Sequence, residues 1–265
     1  MGVASVRTPQ QRIAETVAAE LRQRILTGPP AQRLPTQDQL VRDFGVSYPS
    51  VREALRILET EGLVTVRRGS VGGAEVHRPD QSSAAYHLGL VLQGEGVTLG
   101  DLAEGLLALE PMCAAEVARR PDRMTTVVPA LTANVDASAQ AVTDGVAFTR
   151  VAREFHDLLV GFTPNDTIRH VVRSLVTLWS AQEEQWAAAV TRLGEYPSPA
   201  AARGAVRTHR RVVDEIAAGR ADEVSRIARK HLAATQAVLL ERFTGDVVNA
   251  TPARMSRTRA QAPRH

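Results

Sequence analysis

The chain has 265 residues, 44% of them hydrophobic and 23% charged, with a formal net charge of +3. That length allows two domains with separate cores, and with no run of 18 apolar residues and no basic-then-apolar leader, neither a membrane span nor a secretion signal is expected, which predicts a cytoplasmic protein. The single cysteine, Cys113, excludes an intrachain disulfide and a cysteine-based zinc site and reads as a small buried hydrophobe, while the mild positive balance permits a nucleic-acid partner without demanding one.

Residues 1–10 show no periodicity and are expected to be disordered. Ile13, Val17, Leu21 and Ile25 recur every fourth residue until Gly28-Pro29-Pro30, which predicts a helix over 11–27 with Arg22 and Arg24 on a solvated face. Leu34 to Val64 then reads as two short helices joined by a tight turn. Thr36 and Gln37 open the first, Leu40, Val41 and Phe44 form its apolar face, and Gly45 ends it. Ser47 caps the second, Pro49 sits in the first turn where its missing N–H costs little, and Gly62 closes it. With Val51, Ala54, Leu55 and Leu58 turned inward, Tyr48, Pro49, Ser50, Arg52, Glu53 and Arg56 are left outside, the arrangement of a helix-turn-helix that offers its second helix to a DNA major groove. Leu63 to Val66 is β-branched and apolar, Arg67 to Gly73 is a basic glycine-rich turn, and Ala74 to His77 is the returning strand of a winged module.

GVSYPSVREALRILETEGLV followed by VRRGSVGGAEV closely resembles the GntR family of bacterial transcription regulators over about Gln11 to Pro79. The resemblance implies a partner of double-stranded operator DNA. Arg52 keeps the family's base-reading position, and the expected DNA-facing set is Thr36, Gln37, Ser47, Tyr48, Ser50 and Arg52 with Arg67, Arg68 and Gly69 on the wing. The family commonly carries arginines where this chain has Asp38 and Tyr48, which implies different inner operator bases. Glu53 is read as a carboxylate that orients a neighbouring arginine.

Residues 80–97 read as a linker with a short helix. From Leu99 every segment has helical period: a first helix from Leu99, then 125–142, 146–162, 167–193, 200–218 and 221–243, which predicts an antiparallel bundle over 98–244. Trp179 and Trp186, one heptad apart, are expected to pack in the core or a dimer contact. After Thr244 the pattern stops, and 245–265 is expected to be a disordered basic tail. The fold class is therefore mainly α, a winged helix-turn-helix domain over 11–79 followed by the bundle.

LGDLAEGLLALEPMCAAEVA, EFHDLLVGFTPND, THRRVVDEIAAGRADEV and ARKHL resemble the effector-binding domain of the FadR branch of the same family. That domain usually binds a metal through an acid and three histidines; the histidines match at His156, His209 and His231, but the acid position is Ala152. A family arginine that grips an effector carboxylate is replaced by Leu106. Three imidazoles alone can still hold a zinc-like divalent ion. The two departures imply weaker metal binding than in relatives and an effector bulkier and less acidic than a small carboxylate. His170 lies outside the matched set.

The function expected from these features is a ligand-responsive transcription regulator, a repressor of a metabolic operon rather than an enzyme, that binds a palindromic operator as a homodimer, is nucleoid-associated, and answers to a small-molecule effector. The alternative is a metal-dependent hydrolase built on the three histidines. Against it stand the absence of HExxH and the placement of Glu154, two residues before His156 on one helix.

Overall fold

The computed structural model describes residues 9–29, 33–66, 74–191 and 198–250, apart from the side chains of 186–191 and 242. The wing tip with Arg67, Arg68 and Gly69, the side chain of Trp186, and the termini at 1–8 and 251–265 lie outside the described residues. The chain divides between Asp80 and Gln81 into two units.

The first unit contains α1 (Pro9–Thr27), α2 (Gln37–Phe44), α3 (Tyr48–Thr60) and the antiparallel pair β1 (Val64–Val66) and β2 (Ala74–Val76), with Val64 opposite Val76 and Val66 opposite Ala74. Its core joins Val17, Leu21 and Ile25 of α1 to Leu40 of α2, Val51, Leu55 and Leu58 of α3, and Val64 and Ala74 of the strands. The four-residue repeat of α1 overshoots the 3.6-residue turn, so Ile13 is 43% exposed and Ala14 takes the inward place. The helix also begins two residues earlier than expected, at Pro9. Thr36 caps α2 in a reciprocal box with Gln39, and Gly45 closes it with the left-handed backbone (φ 64°) that a side chain would strain. These two caps fix where α3 starts.

The second unit contains α4 (Gln81–Gly94), α5 (Leu99–Ala118), a π-turn (Arg123–Val127), α6 (Val128–Gln140), α7 (Gly145–Gly161), α8 (Asp166–Thr191), α9 (Pro199–Ala217) and α10 (Ala221–Phe243). Pro129 cannot donate a backbone hydrogen bond, and α6 starts beside it rather than at Thr125. Two expectations are corrected. Residues 80–97 do not form a linker with a short helix: α4 is 14 residues long and packs on α8 within this unit. Residues 245–250 are not a disordered tail either. Val248 is fully buried, its N–H donates to Val97 O at 2.9 Å, and Gln182 brackets Asn249 from both sides. One buried valine, Val248, suffices to dock a short polar segment once backbone partners are available, while Val247 stays 45% exposed.

Two apolar clusters share the helical unit. One gathers Val117, Leu131, Phe155 and Ile216, the other Leu102, Leu106, Val172, Trp179 and Leu239. Cys113 is fully buried in the second, as expected, and burial raises its thiol above the usual range.

Candidate nucleic-acid interface and ligand cavity

In the first unit, Ser47 caps α3 by accepting from Ser50 N, which orients the first turn of α3. Arg52 follows on the outer face, exposed, and pairs with no described residue. Arg56, one turn on, is held by Glu53 through two contacts of 3.0 and 2.8 Å, so Glu53 does orient an arginine. Tyr48 is 46% exposed and donates its hydroxyl to Asp38, whose hydrogen bond and charge hold the phenol above its usual range. The two positions at which the chain departs from its relatives are therefore in contact with each other. Thr36 is exposed at the N-terminus of α2 and Gln37 is half-buried beside it. Ser50 is a correction: only 2% exposed, with its hydroxyl 3.1 Å from that of Ser47, it faces inward with Val51 and Ala54 rather than outward with Arg52. Position 50 lies one turn before Ala54 and so shares the buried stripe. Arg22 is engaged by Glu61 at 2.8 Å and Arg24 by Glu20 at 2.9 Å, the latter also lying over the Phe44 ring.

The second unit has a half-open cavity of about 590 Å³ between its two apolar clusters, lined from α5, α7, α8, α9 and α10. His156 (α7), His209 (α9) and His231 (α10) meet there, with one nitrogen of each within 4.8 Å of the others. Nε2 of His209 and Nε2 of His231 are 2.9 Å apart, within hydrogen-bonding distance. Nδ1 of His209 is buried with no partner, and Phe155 stacks on that ring at 3.9 Å and 6°. Burial, then the neighbouring imidazoles, hold His209 well below the usual imidazole range, and burial pushes His231 down to about 3. Both rings are therefore neutral with a lone pair to offer.

His156 behaves differently. Burial opposes its charge, but Glu110 outweighs that with its own charge and a 2.5 Å contact to Nδ1, so this imidazole is raised. Glu110 is 2% exposed and was not anticipated from the sequence. The signal existed: it lies one turn after Leu106 on the inward stripe of α5, where an acid is out of place. Two further residues were missed, Arg153 of α7 and Glu183 of α8, both lining the cavity. Glu183 is raised by burial, against the charges of Arg153 and His156. His170 stays outside the cluster and meets Gln81 instead. Trp179 is 8% exposed in the core and also forms part of the cavity wall.

A winged helix-turn-helix unit joined to a helical unit with a mostly apolar cavity that holds a cluster of histidines defines a class of two-domain regulators. Comparison with known proteins agrees. Residues 13–72 match the bacterial regulatory proteins of the gntR family and residues 101–234 match the FCD domain, so the chain belongs to the gntR family of bacterial regulatory proteins that carry an FCD domain. The HTH-type transcriptional regulator Mce2R of Mycobacterium tuberculosis is 42% identical over 64 residues, 23% of this chain and 27% of that protein. The HTH-type transcriptional repressor NanR of Salmonella arizonae is 28% identical over 160 residues, 59% of this chain and 60% of that one. The aligned region thus spans about a quarter of the first relative's length and three-fifths of the second's. The solved structure of Streptococcus agalactiae GntR superimposes with a TM-score of 0.62 at 20% identity, covering 86% of this chain and 99% of that one, a likeness of fold.

Proposed function

We propose that the chain is a ligand-responsive transcription regulator, acting as a repressor, that binds a near-palindromic operator as a homodimer and answers to a small molecule in the helical unit. The observation that carries this reading is Arg52: an exposed arginine with no partner among the described residues, on the outer face of a capped recognition helix, where a bidentate contact to guanine needs a free guanidinium. The two-fold symmetry of a dimer requires a matching symmetry in its site. Selection of bound duplexes from a random pool by the full-length protein tests the reading. A near-palindrome with one guanine-dependent position per half-site is expected, and recovery of no consensus overturns it.

The three histidines fit a zinc-like ion. Two of their nitrogens are 2.9 Å apart and all three lie within 4.8 Å, so small ring movements would bring them to the roughly 3.4 Å separations that four-coordinate zinc with bonds of about 2.1 Å imposes, and Glu110 on Nδ1 of His156 is the kind of outer partner that fixes a ligating ring. A bound ion would supply a Lewis-acidic position for an oxygen of the effector. The chain's own residues set its strength: without an acid at Ala152, all three candidate ligands are neutral or share their charge with Glu110, which supports weaker retention than a site with an anionic ligand. The hydrolase alternative gains no observation. Glu154 is exposed and 3.6 Å from Arg150, and Glu110 is committed to His156.

A further inference from the structure

We infer that the outer face of the α9–α10 hairpin is a second nucleic-acid surface, one that holds the phosphate backbone of duplex DNA outside the operator. The observation is a segregation of charge. Residues 199–213 of α9 carry Arg203, Arg207, Arg210 and Arg211, residues 224–240 of α10 carry Arg226, Arg229 and Lys230, and neither stretch contains an acid. Seven of the chain's 32 basic residues and none of its 29 acidic ones therefore lie here, which leaves the rest of the chain net negative. All seven side chains are exposed.

Arg203, Arg207 and Arg211 follow at four-residue intervals on α9 and form one stripe about 12 Å long. Arg211, Arg226 and Lys230 line one groove between the two helices, so the stripe continues onto α10. Acids of neighbouring segments reach only part of it: Asp136 of α6 holds Arg210, and Glu223 is shared between Arg211 and Arg226. Arg203, Arg207, Arg229 and Lys230 have neither an ion pair nor a hydrogen bond with any described residue. Like charges at four-residue spacing repel, so this face is relieved when an anion covers it. A duplex presents one negative charge for about every 1.7 Å of its axis, and a stripe of this length meets several phosphates at once, releasing their condensed counterions. A membrane-binding helix instead sets large apolar side chains beside its cations; here Gly204, Thr208, Ala233 and Ala234 stand among them. Phosphate contacts carry no sequence information, so the surface takes any duplex.

Fluorescence anisotropy tests this on full-length protein saturated with an unlabelled minimal operator duplex and titrated, over a salt series, with a labelled duplex of unrelated sequence. The second duplex is expected to bind. Replacing Arg203, Arg207 and Lys230 together by Gln should make the slope of log affinity against log salt shallower by about 2 to 3, whereas Arg203→Lys with Arg207→Lys should keep the wild-type slope because the charge remains. A control with the same loss of charge, Arg119→Gln with Arg150→Gln and Arg220→Gln at exposed, paired arginines, should also keep it. Operator affinity and melting temperature should not fall in any of these proteins. Failure of the second duplex to bind, a slope that the three glutamines leave unaltered, or an equal change in the control would each overturn the inference. So would capture of phosphatidylglycerol vesicles by a protein that takes no second duplex, or a glutamine variant that melts lower and loses the operator as well. Intact operator binding without a second duplex defeats this inference alone, whereas duplex binding through these residues in a protein that selects no operator defeats the operator reading alone.

Discussion

Alanine at Arg52 removes the one recognition-helix guanidinium that the structure leaves unengaged. The side chain is exposed and pairs with no described residue, so DNA competes with nothing but water and rotamer freedom for it. Ordering an arginine costs up to about 2 kcal/mol, and a good bidentate contact to guanine still discriminates by roughly 1–3 kcal/mol. At about 1.4 kcal/mol per factor of ten, Arg52→Ala should weaken the preferred duplex by roughly 5- to 140-fold per half-site. Most of that loss should disappear when the contacted base pair is changed, because wild type loses the same contact. Arg56 is the internal comparison: Glu53 holds it with two hydrogen bonds, and it must leave that partner before it reaches a phosphate or a base. Arg56→Ala should therefore cost less, and equally on every duplex, while Glu53→Gln should tighten binding to all duplexes and steepen its salt dependence. Fluorescence anisotropy at one salt concentration, over a panel of single-base-pair variants of the selected site, reads all of this. A sequence-independent loss for Arg52→Ala, or a base-specific loss for Arg56→Ala, would refute the docking derived from α3.

Other outcomes follow from the same geometry. Tyr48→Phe and Asp38→Ala each break the contact between the two residues and should change the same operator position, as a competition between duplex libraries would show; changes at unrelated positions would mean that the pair does not act as a unit. Elemental analysis of protein purified without chelator should find substoichiometric zinc, lost on dialysis and absent in His209→Ala; stoichiometric zinc that survives dialysis contradicts a site weakened by Ala152. Val248→Ala should destabilise the chain by about 2 kcal/mol, since a fully buried side chain of the docked terminal segment is lost, and a denaturant midpoint equal to wild type would show that segment to be undocked.

The fold was legible where periodicity and punctuation coincide. Thr36, Gly45, Ser47 and Gly62 announce both helices of the recognition motif, because caps act through their own neighbours and need no distant partner. The convergence of His156, His209 and His231 was legible only through resemblance, since three helices contribute them. What spacing could not disclose is which side of a stripe a borderline residue takes. Ser50 looked like an outward hydroxyl and is buried, because the cap bond with Ser47 satisfies it inside. Glu110 and Arg153 were passed over for the opposite reason. Each carries charge on or beside an apolar stripe, and its meaning appears only when another helix supplies, or fails to supply, the counter-charge.

The distribution of unsatisfied groups leads to a last prediction. Among the described residues, the buried polar atoms without partners are those of Asn134, Ser138, Arg153, Thr163, His209 and Gln236, all in the helical unit and none in the winged one. A surface that reads DNA can leave Arg52 free at little cost because water solvates it, whereas the unpaired buried nitrogens of Arg153 and His209 at the cavity cost stability that a bound guest can recover. Filling the cavity should therefore stabilise the helical unit specifically. A ligand at a hundred times its dissociation constant contributes about 2.7 kcal/mol, which for a domain of this size corresponds to roughly 5–11 °C in melting temperature. Hydrogen exchange on the full-length chain, with and without saturating zinc, locates that gain. Slower exchange is expected along α7, α9 and α10, where Arg153, His209 and His231 face the cavity, with α1 to β2 unchanged in their internal protection. Equal slowing in both units, or none along α7, would show that the unpaired groups around the cavity are not what the ligand satisfies.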